Sequence, residues 1–136
     1  MRGRFWLAVV VVFVLFMIVD MIVHVGILSG AYEATKEIWR AEEEMNSMMW
    51  MMWLGTLVYS FFFVVVFGKG YEGKGTGEGL RYGVFIGLMF SVPMALGSYG
   101  SFPITAGIAW SWFLGGMVEN ILGGLLVAAI YRPARA

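Results

Sequence analysis

The chain has 136 residues, of which 60% are hydrophobic, 17% aromatic and only 13% charged. This composition lies far outside the range of soluble globular proteins and indicates that lipid is the solvent for most of the surface. The nine basic and nine acidic residues form no basic face for nucleic acid. The absence of cysteine excludes disulfides, thiolate metal sites and cysteine nucleophiles.

Four apolar stretches are long enough to cross a hydrocarbon layer about 30 Å thick, which takes roughly 20 helical residues. They are Phe5 to Leu28, Met48 to Phe67, Gly79 to Leu96 and Ile104 to Ile130. Backbone groups cannot hydrogen-bond to water inside the hydrocarbon, and the stretches lack the alternation of a barrel strand, so helices are predicted. The predicted fold is therefore an all-α, integral membrane four-helix bundle, with residues 1–136 forming one domain.

Basic residues in the short flanks set the predicted orientation. Seven lie on one side of the membrane, and only Lys36 and Arg40 lie on the other. The positive-inside rule places both termini and the loop at residues 68–78 in the cytoplasm, and residues 29–47 and 97–103 outside. The expected location is the inner, cytoplasmic membrane. The seven residues are Arg2, Arg4, Lys69, Lys74, Arg81, Arg132 and Arg135.

Two segments outside the spans have sequence patterns that predict their structure. The stretch from Tyr32 to Met45 has apolar residues at helical spacing and is predicted to extend the second helix outside the membrane. The cytoplasmic loop is rich in glycine but lacks the Gly-Lys-Ser/Thr ending and the preceding strand of a phosphate-binding loop. We therefore expect a flexible turn there and no nucleotide site.

Small residues recur at every fourth position in the last two spans. No hydrophobic force pairs helices within a bilayer, so small residues that let backbones approach favour helix association. The pattern predicts a tight antiparallel hairpin, with enough small positions left over to dock an identical chain or another membrane subunit. The two stripes are Gly79, Gly83, Gly87, Ser91 and Ala95, and Gly107, Ser111, Gly115, Glu119 and Gly123.

The candidate polar residues within the predicted hydrocarbon are Asp20 and His24 on the first helix and Glu119 and Asn120 on the fourth. A charged group there costs roughly 2.5 to 3.5 kcal/mol on insertion scales and is a functional candidate by default. One interpretation is a proton or cation path, with Glu119 at mid-membrane, Asp20 as second acceptor and His24 as exchange group. The other is structural: Asp20 orients or charges His24, and a neutral Glu119 hydrogen-bonds Asn120 or a backbone carbonyl.

Metal binding is a narrower alternative. Asp20 and His24 are four residues apart, so both could reach one ion on a helical face, with Glu119 as a third ligand. Four methionine thioethers on one face could hold Cu(I), although such a stripe is more often adaptable apolar packing. They belong to Met45, Met48, Met49 and Met52. We predict no resident metal or cofactor.

The sequence does not predict an enzyme, because no nucleophile lies within helical reach of the single histidine on the same face. The primary hypothesis is an interaction protein: a packing, assembly or accessory subunit of a homo-oligomer or a larger membrane complex. The alternative is a proton-coupled or cation transporter that uses Asp20, His24 and Glu119. The expected partners are the lipid bilayer and another membrane subunit or a second copy, not nucleic acid.

Overall fold

A computed structural model describes residues 2–131, with the Arg2 side chain excepted, and within this range the protein consists of helices joined by short connections. Helix α1 (Arg2–Asp20) continues as a π-helical segment (Met21–Ile27). The later helices are α2 (Ser29–Ala34), a 3₁₀ turn (Lys36–Ile38), α3 (Glu42–Gly70), α4 (Thr76–Ser101) and α5 (Ala106–Tyr131).

Four helical stretches in the described range are long and apolar enough to cross a membrane. They are Gly3–Ile27, Glu42–Gly70, Thr76–Ser101 and Ala106–Tyr131. The prediction of an all-helical chain with four membrane-length helices is confirmed. Arg132, Arg135 and the side chain of Arg2, which contribute to the predicted orientation, lie outside the described part of the chain.

The bundle has two ends. The α2 end contains residues 28–41 and the α4–α5 connection, and the loop end contains the glycine-rich loop at residues 71–75. Helix α3 begins at Glu42, six residues before the predicted span, but the expected continuous helix from Tyr32 to Met45 is wrong. The backbone is extended at Trp39 (φ −101°, ψ 158°).

Tertiary packing explains this break. The Thr35 hydroxyl donates to the carbonyl of Ala31 (2.8 Å) and accepts from the Trp39 indole N–H (2.9 Å). The Trp39 ring then packs against Trp112 of α5, with ring centroids 6.3 Å apart. Burial of a large aromatic side chain outweighs the helical preference of the intervening residues.

Helices α4 and α5 form a tight hairpin through small residues. The α4 stripe is buried throughout, at Gly79, Gly83, Gly87, Ser91 and Ala95. A Cβ built on Gly79 would clash with the carbonyl oxygen of Gly124, and one built on Gly83 would clash with the carbonyl oxygen of Asn120. The two backbones therefore touch, and only glycine leaves room at these positions.

The α5 face of this hairpin differs from the expected one. Residues Gly116, Asn120 and Gly124 meet α4, whereas the predicted stripe faces other helices. A Cβ on Gly115 would lie 3.0 Å from Val23 of α1, and a Cβ on Gly123 would lie 2.8 Å from the ring of Phe16.

Two glycine doublets, at positions 115–116 and 123–124, account for this difference. They create two small stripes about 100° apart on one helix, so α4 and α1 each have their own. Further along the predicted stripe, a Cβ on Gly107 would meet only its own neighbour Thr105, and Ser111 is partly exposed. The α5 stripe therefore serves contacts within the chain at Gly115 and Gly123, but not at Gly107.

Helix α3 packs against the bundle along only half of its length. Near the loop end, Phe63, Val64 and Phe67 join Phe16 of α1 and Val127 of α5 in a buried core. Toward the α2 end, no residue from Glu42 to Tyr59 is buried. Apart from Tyr59 at its boundary, that half of α3 is therefore separated from the rest of the described chain.

The glycine-rich loop is a defined turn around one carboxylate. Glu78, which is buried, accepts hydrogen bonds from the backbone N–H groups of Glu72 (2.6 Å) and Lys74 (2.9 Å). Gly73 and Gly75 allow this wrapping, because both have φ near +78°, a region that side chains disfavour (77° and 79°). The loop N–H donors thus bind the chain's own carboxylate.

The exposed side of the same loop carries an ion pair between Lys74 and Glu72. Hydrogen bonding to the Lys74 ammonium and its positive charge lower the pKa of the Glu72 carboxyl below its usual value. The pair is solvated and contributes little to stability.

Candidate functional site

The polar residues of the spans lie between two apolar cores. The loop-end core contains Phe16 and Phe63, and a second core near the α2 end contains Val19, Val23 and Ile108. Asp20 follows Val19 on α1, and Glu119 lies on α5, the helix that contributes Ile108 to the second core. The two predicted carboxylates therefore lie on helices that pack against each other, although they come from opposite ends of the sequence.

His24 lies next to Asp20, but not in the α-helical geometry expected. Its Nε2 is 3.8 Å from Oδ1 of Asp20. The π-helical segment that contains His24 adds a residue to the turn and rotates the ring relative to an α-helix. The side chains are 44% and 43% exposed, so both groups are accessible from outside the protein.

Tyr32 and Trp112 extend this pair toward the α2 end. The Trp112 indole N–H donates to the Tyr32 oxygen (2.7 Å), and the same oxygen lies 2.6 Å from Nδ1 of His24. The rings of His24 and Tyr32 are stacked, with centroids 5.9 Å apart and planes 11° apart. Residues from α1, α2 and α5 thus form one hydrogen-bonded row.

The chemistry of the three side chains determines which group donates each hydrogen bond of this row. An indole N–H only donates, so the Tyr32 oxygen accepts from Trp112 and offers its own hydrogen to Nδ1 of a neutral His24. The remaining histidine proton then sits on Nε2, facing Asp20. Burial raises the pKa of the Tyr32 phenol, the Trp112 bond lowers it, and the charge of Asp20 raises it, with a net rise. Tyr32 therefore stays a donor near neutral pH.

Asn120 has a different role from its neighbour Glu119. Its Oδ1 accepts from the Tyr59 hydroxyl (2.6 Å) and its Nδ2 donates to the carbonyl of Gly116 (2.8 Å). The side chain is buried and joins α5 to α3 at the point where α3 leaves the bundle. Both ends of the Asn120 amide are thus engaged in hydrogen bonds that have a structural role.

Glu119 itself has no hydrogen bond within residues 2–131, and its side chain is partly exposed. The structural interpretation required a bond to Asn120 or to a backbone carbonyl, and the described chain contains neither. A carboxyl group among apolar helices without such a bond is satisfied by a proton, by a cation or by water.

A three-ligand metal site is not formed. Within the described range, no three histidine, aspartate or glutamate side chains converge to hold a metal ion, so Glu119 does not complete a site with Asp20 and His24. Of the methionines proposed for copper, Met49 and Met52 are exposed and Met45 and Met48 partly exposed on the separated half of α3.

Replacing Tyr32 with phenylalanine tests the hydrogen-bonded row. We expect the ¹⁵N spectrum of the parent to show His24 protonated on Nε2, with Nδ1 as a hydrogen-bond acceptor. In Tyr32→Phe, Nδ1 should lose that bond and the Trp112 indole N–H should lose its acceptor, so stability should fall by about 2 kcal/mol, at about 1 kcal/mol for each hydrogen bond. Tyr99→Phe is the control, because Tyr99 is half exposed at the same end of the bundle. Unchanged His24 resonances in Tyr32→Phe would contradict the proposed bonding.

Sequence reasoning did not identify three residues of this site. Tyr32 and Trp112 are 80 positions apart, and Tyr59 and Asn120 are 61 apart. No local sequence pattern indicates such pairs, because each tyrosine or tryptophan ring is equally well explained as an interfacial or core aromatic side chain. The available signal was weak: a buried polar group needs a partner, and tyrosine and tryptophan are the side chains that offer one from an apolar body.

Comparison with known proteins identifies no relative, because no family model, curated protein or solved structure matches the chain.

Proposed function

We propose that the chain is a multi-pass membrane protein that takes up a proton, or a small cation in its place, at Asp20 and Glu119 and exchanges it toward the α2 end. The observation that carries this proposal is the row from Tyr32 through His24 to Asp20, together with a Glu119 on the adjoining helix α5 that has no hydrogen bond within residues 2–131. Each member either shuttles a proton or fixes the direction of its neighbour's proton.

The packing around this row supports an opening on one side only. The separated half of α3 leaves Asp20 and His24 accessible near the α2 end, whereas the loop-end core is closed by Phe16, Phe63 and Val127. A carrier needs a site that is reached from one side while the other side is sealed. Movement of the free half of α3 toward α5 would then close the open side.

The proposed orientation places the opening outside the cell. Among the described residues, Arg4, Lys69, Lys74 and Arg81 belong to the loop end, and only Lys36 and Arg40 to the α2 end. The positive-inside rule favours a cytoplasmic loop end in the cytoplasmic membrane. His24 would then exchange protons with the outer medium.

Reconstitution into liposomes that contain a pH-sensitive dye tests this function. When a pH gradient is imposed, liposomes with the protein should dissipate it faster than protein-free liposomes of the same lipid. An ionophore that clamps the membrane potential distinguishes proton flux from compensating cation flux. Equal rates with and without protein, under both conditions, would count against the proposal.

A second candidate is an assembly or accessory subunit, and the separated half of α3 favours it. Most of the predicted stripe residues give this candidate little support, because Gly79, Gly83, Gly87, Gly115 and Gly123 pack against other helices of the same chain. Instead, Trp50, Leu54 and Leu57 lie on a helical half with no buried residue, which a second copy or another subunit could cover.

Native mass spectrometry after extraction in a mild detergent tests this candidate. We expect a dimer or higher oligomer for the parent, and a shift toward monomer in Leu54→Ala/Leu57→Ala, because the substitutions remove apolar contact area from the α3 face. Leu96→Ala/Leu114→Ala provides the control, because these leucines are exposed on α4 and α5. Monomers alone from the parent would contradict assembly through α3.

A further inference from the structure

A groove at the loop end lies between the last turns of α3 and the first turns of α4. It has a volume of about 250 Å³. Val66, Phe67 and Phe85 form its apolar wall, and Gly70 and Arg81 lie where the two helices end. The groove is thus apolar along the helices, with the charged residues Glu78 and Arg81 at its loop end.

The charged side chains around the groove differ in whether they already have hydrogen-bond partners. Glu78 also lines it, but both of its oxygens accept backbone N–H groups from the loop. Arg81 is exposed and, within residues 2–131, makes no hydrogen bond or ion pair. Lys69, next to Gly70, is also exposed and has no ion pair in the same range. Arg81 therefore has only a longer-range attraction to Glu72, whose carboxylate pairs directly with Lys74, whereas the carboxylate of Glu78 is engaged by the loop N–H groups.

The wall of the groove is held in place by a hydrogen bond between helices. The Tyr82 hydroxyl donates to the carbonyl of Phe63 (2.6 Å), and the Tyr82 ring packs edge-on against Phe67 with centroids 5.2 Å apart. These contacts join α4 to α3 one turn inside the groove. A Cβ added to Gly70 would meet nothing within 4 Å, so the end of the groove is open.

We propose that this groove binds one anionic phospholipid, with an acyl chain against Val66, Phe67 and Phe85 and the headgroup phosphate on Arg81. A guanidinium pairs with phosphate through two parallel hydrogen bonds, and a net negative headgroup adds attraction to the surplus basic charge. The site lies at the opposite end of the bundle from His24 and uses none of the residues of the proposed proton path. Its test is therefore independent of that function.

Native mass spectrometry of the full chain, incubated with phosphatidylglycerol or phosphatidylcholine of identical acyl chains, tests the proposal. The parent should retain phosphatidylglycerol preferentially. Arg81→Gln should reduce this preference about fivefold, the effect of one basic residue near a membrane surface, and should lower phosphatidylcholine retention less, because the choline cation offsets the charge of the phosphate that Arg81 binds. Arg40→Gln, at the α2 end, should behave like the parent.

A second variant tests the acyl part of the site. Val66→Trp fills the groove and should reduce retention of both lipids, whereas inorganic phosphate at millimolar concentration should not displace the bound lipid. Equal retention of the two lipids by the parent, or an unchanged preference in Arg81→Gln, would overturn the proposal. Undiminished retention in Val66→Trp, or displacement by phosphate, would overturn it in favour of a simple surface anion site.

Discussion

Glu119→Gln should abolish proton or cation flux in liposomes and leave the fold intact. Glutamine has nearly the same size as a protonated glutamate but cannot release or bind a proton, and it provides no negative charge for a cation. The Glu119 side chain makes no hydrogen bond within the described chain, so its replacement breaks no native hydrogen bond. The measurement is the rate of gradient collapse in dye-loaded liposomes, at equal protein content and with thermal unfolding measured in parallel.

The control for this experiment is Glu43→Gln, which removes the same charge from an exposed position in the first turn of α3. Its flux should match that of the parent. Normal flux in Glu119→Gln would show that the mid-span carboxyl is dispensable, and the proposed path would then fail even if the protein still assembles. Loss of flux in both variants would point to a general effect of charge on insertion or orientation and would equally contradict a specific role.

Gly83→Leu should destabilise the protein by about 3 kcal/mol or more, at or above the upper end of the usual cost of overpacking. A Cβ at this position would fall inside the carbonyl of Asn120 and close to the Cα of Ile121. Neither atom belongs to a side chain that can rotate away, so α4 and α5 must separate. The expected observation is unfolding at a lower mole fraction of SDS, followed by tryptophan fluorescence.

Gly97→Leu is the matched control, because it lies on the same helix and an added Cβ there meets nothing within 4 Å. We expect it to change stability by less than about 0.5 kcal/mol, as surface substitutions usually do. If the two variants unfold alike, the hairpin does not depend on the close backbone approach seen at Gly83. Intermediate behaviour of both would argue that helix propensity, not packing, decides.

The sequence alone indicated an all-helical chain and the positions of its four long helices. Long apolar runs must be helical in a bilayer because each helix satisfies its own backbone groups. Phe5 to Leu28 corresponds to α1 with its π-helical segment, and the three later stretches correspond to α3, α4 and α5, within about six residues at each end. The same local logic identified the α4 stripe and the polar residues Asp20, His24, Glu119 and Asn120. These features depend on spacing along a single helix, which a sequence displays directly.

Only the tertiary structure decided which of these features meet. Glycine doublets at 115–116 and 123–124 offer two equivalent faces, and only the packing assigned one to α4 and the other to α1. The π-helical turn at His24, the approach of Tyr32 and Trp112, and the engagement of Asn120 by Tyr59 depend on contacts between residues 8 to 80 positions apart. Such contacts arise from the positions of whole helices, and local spacing carries no information about them.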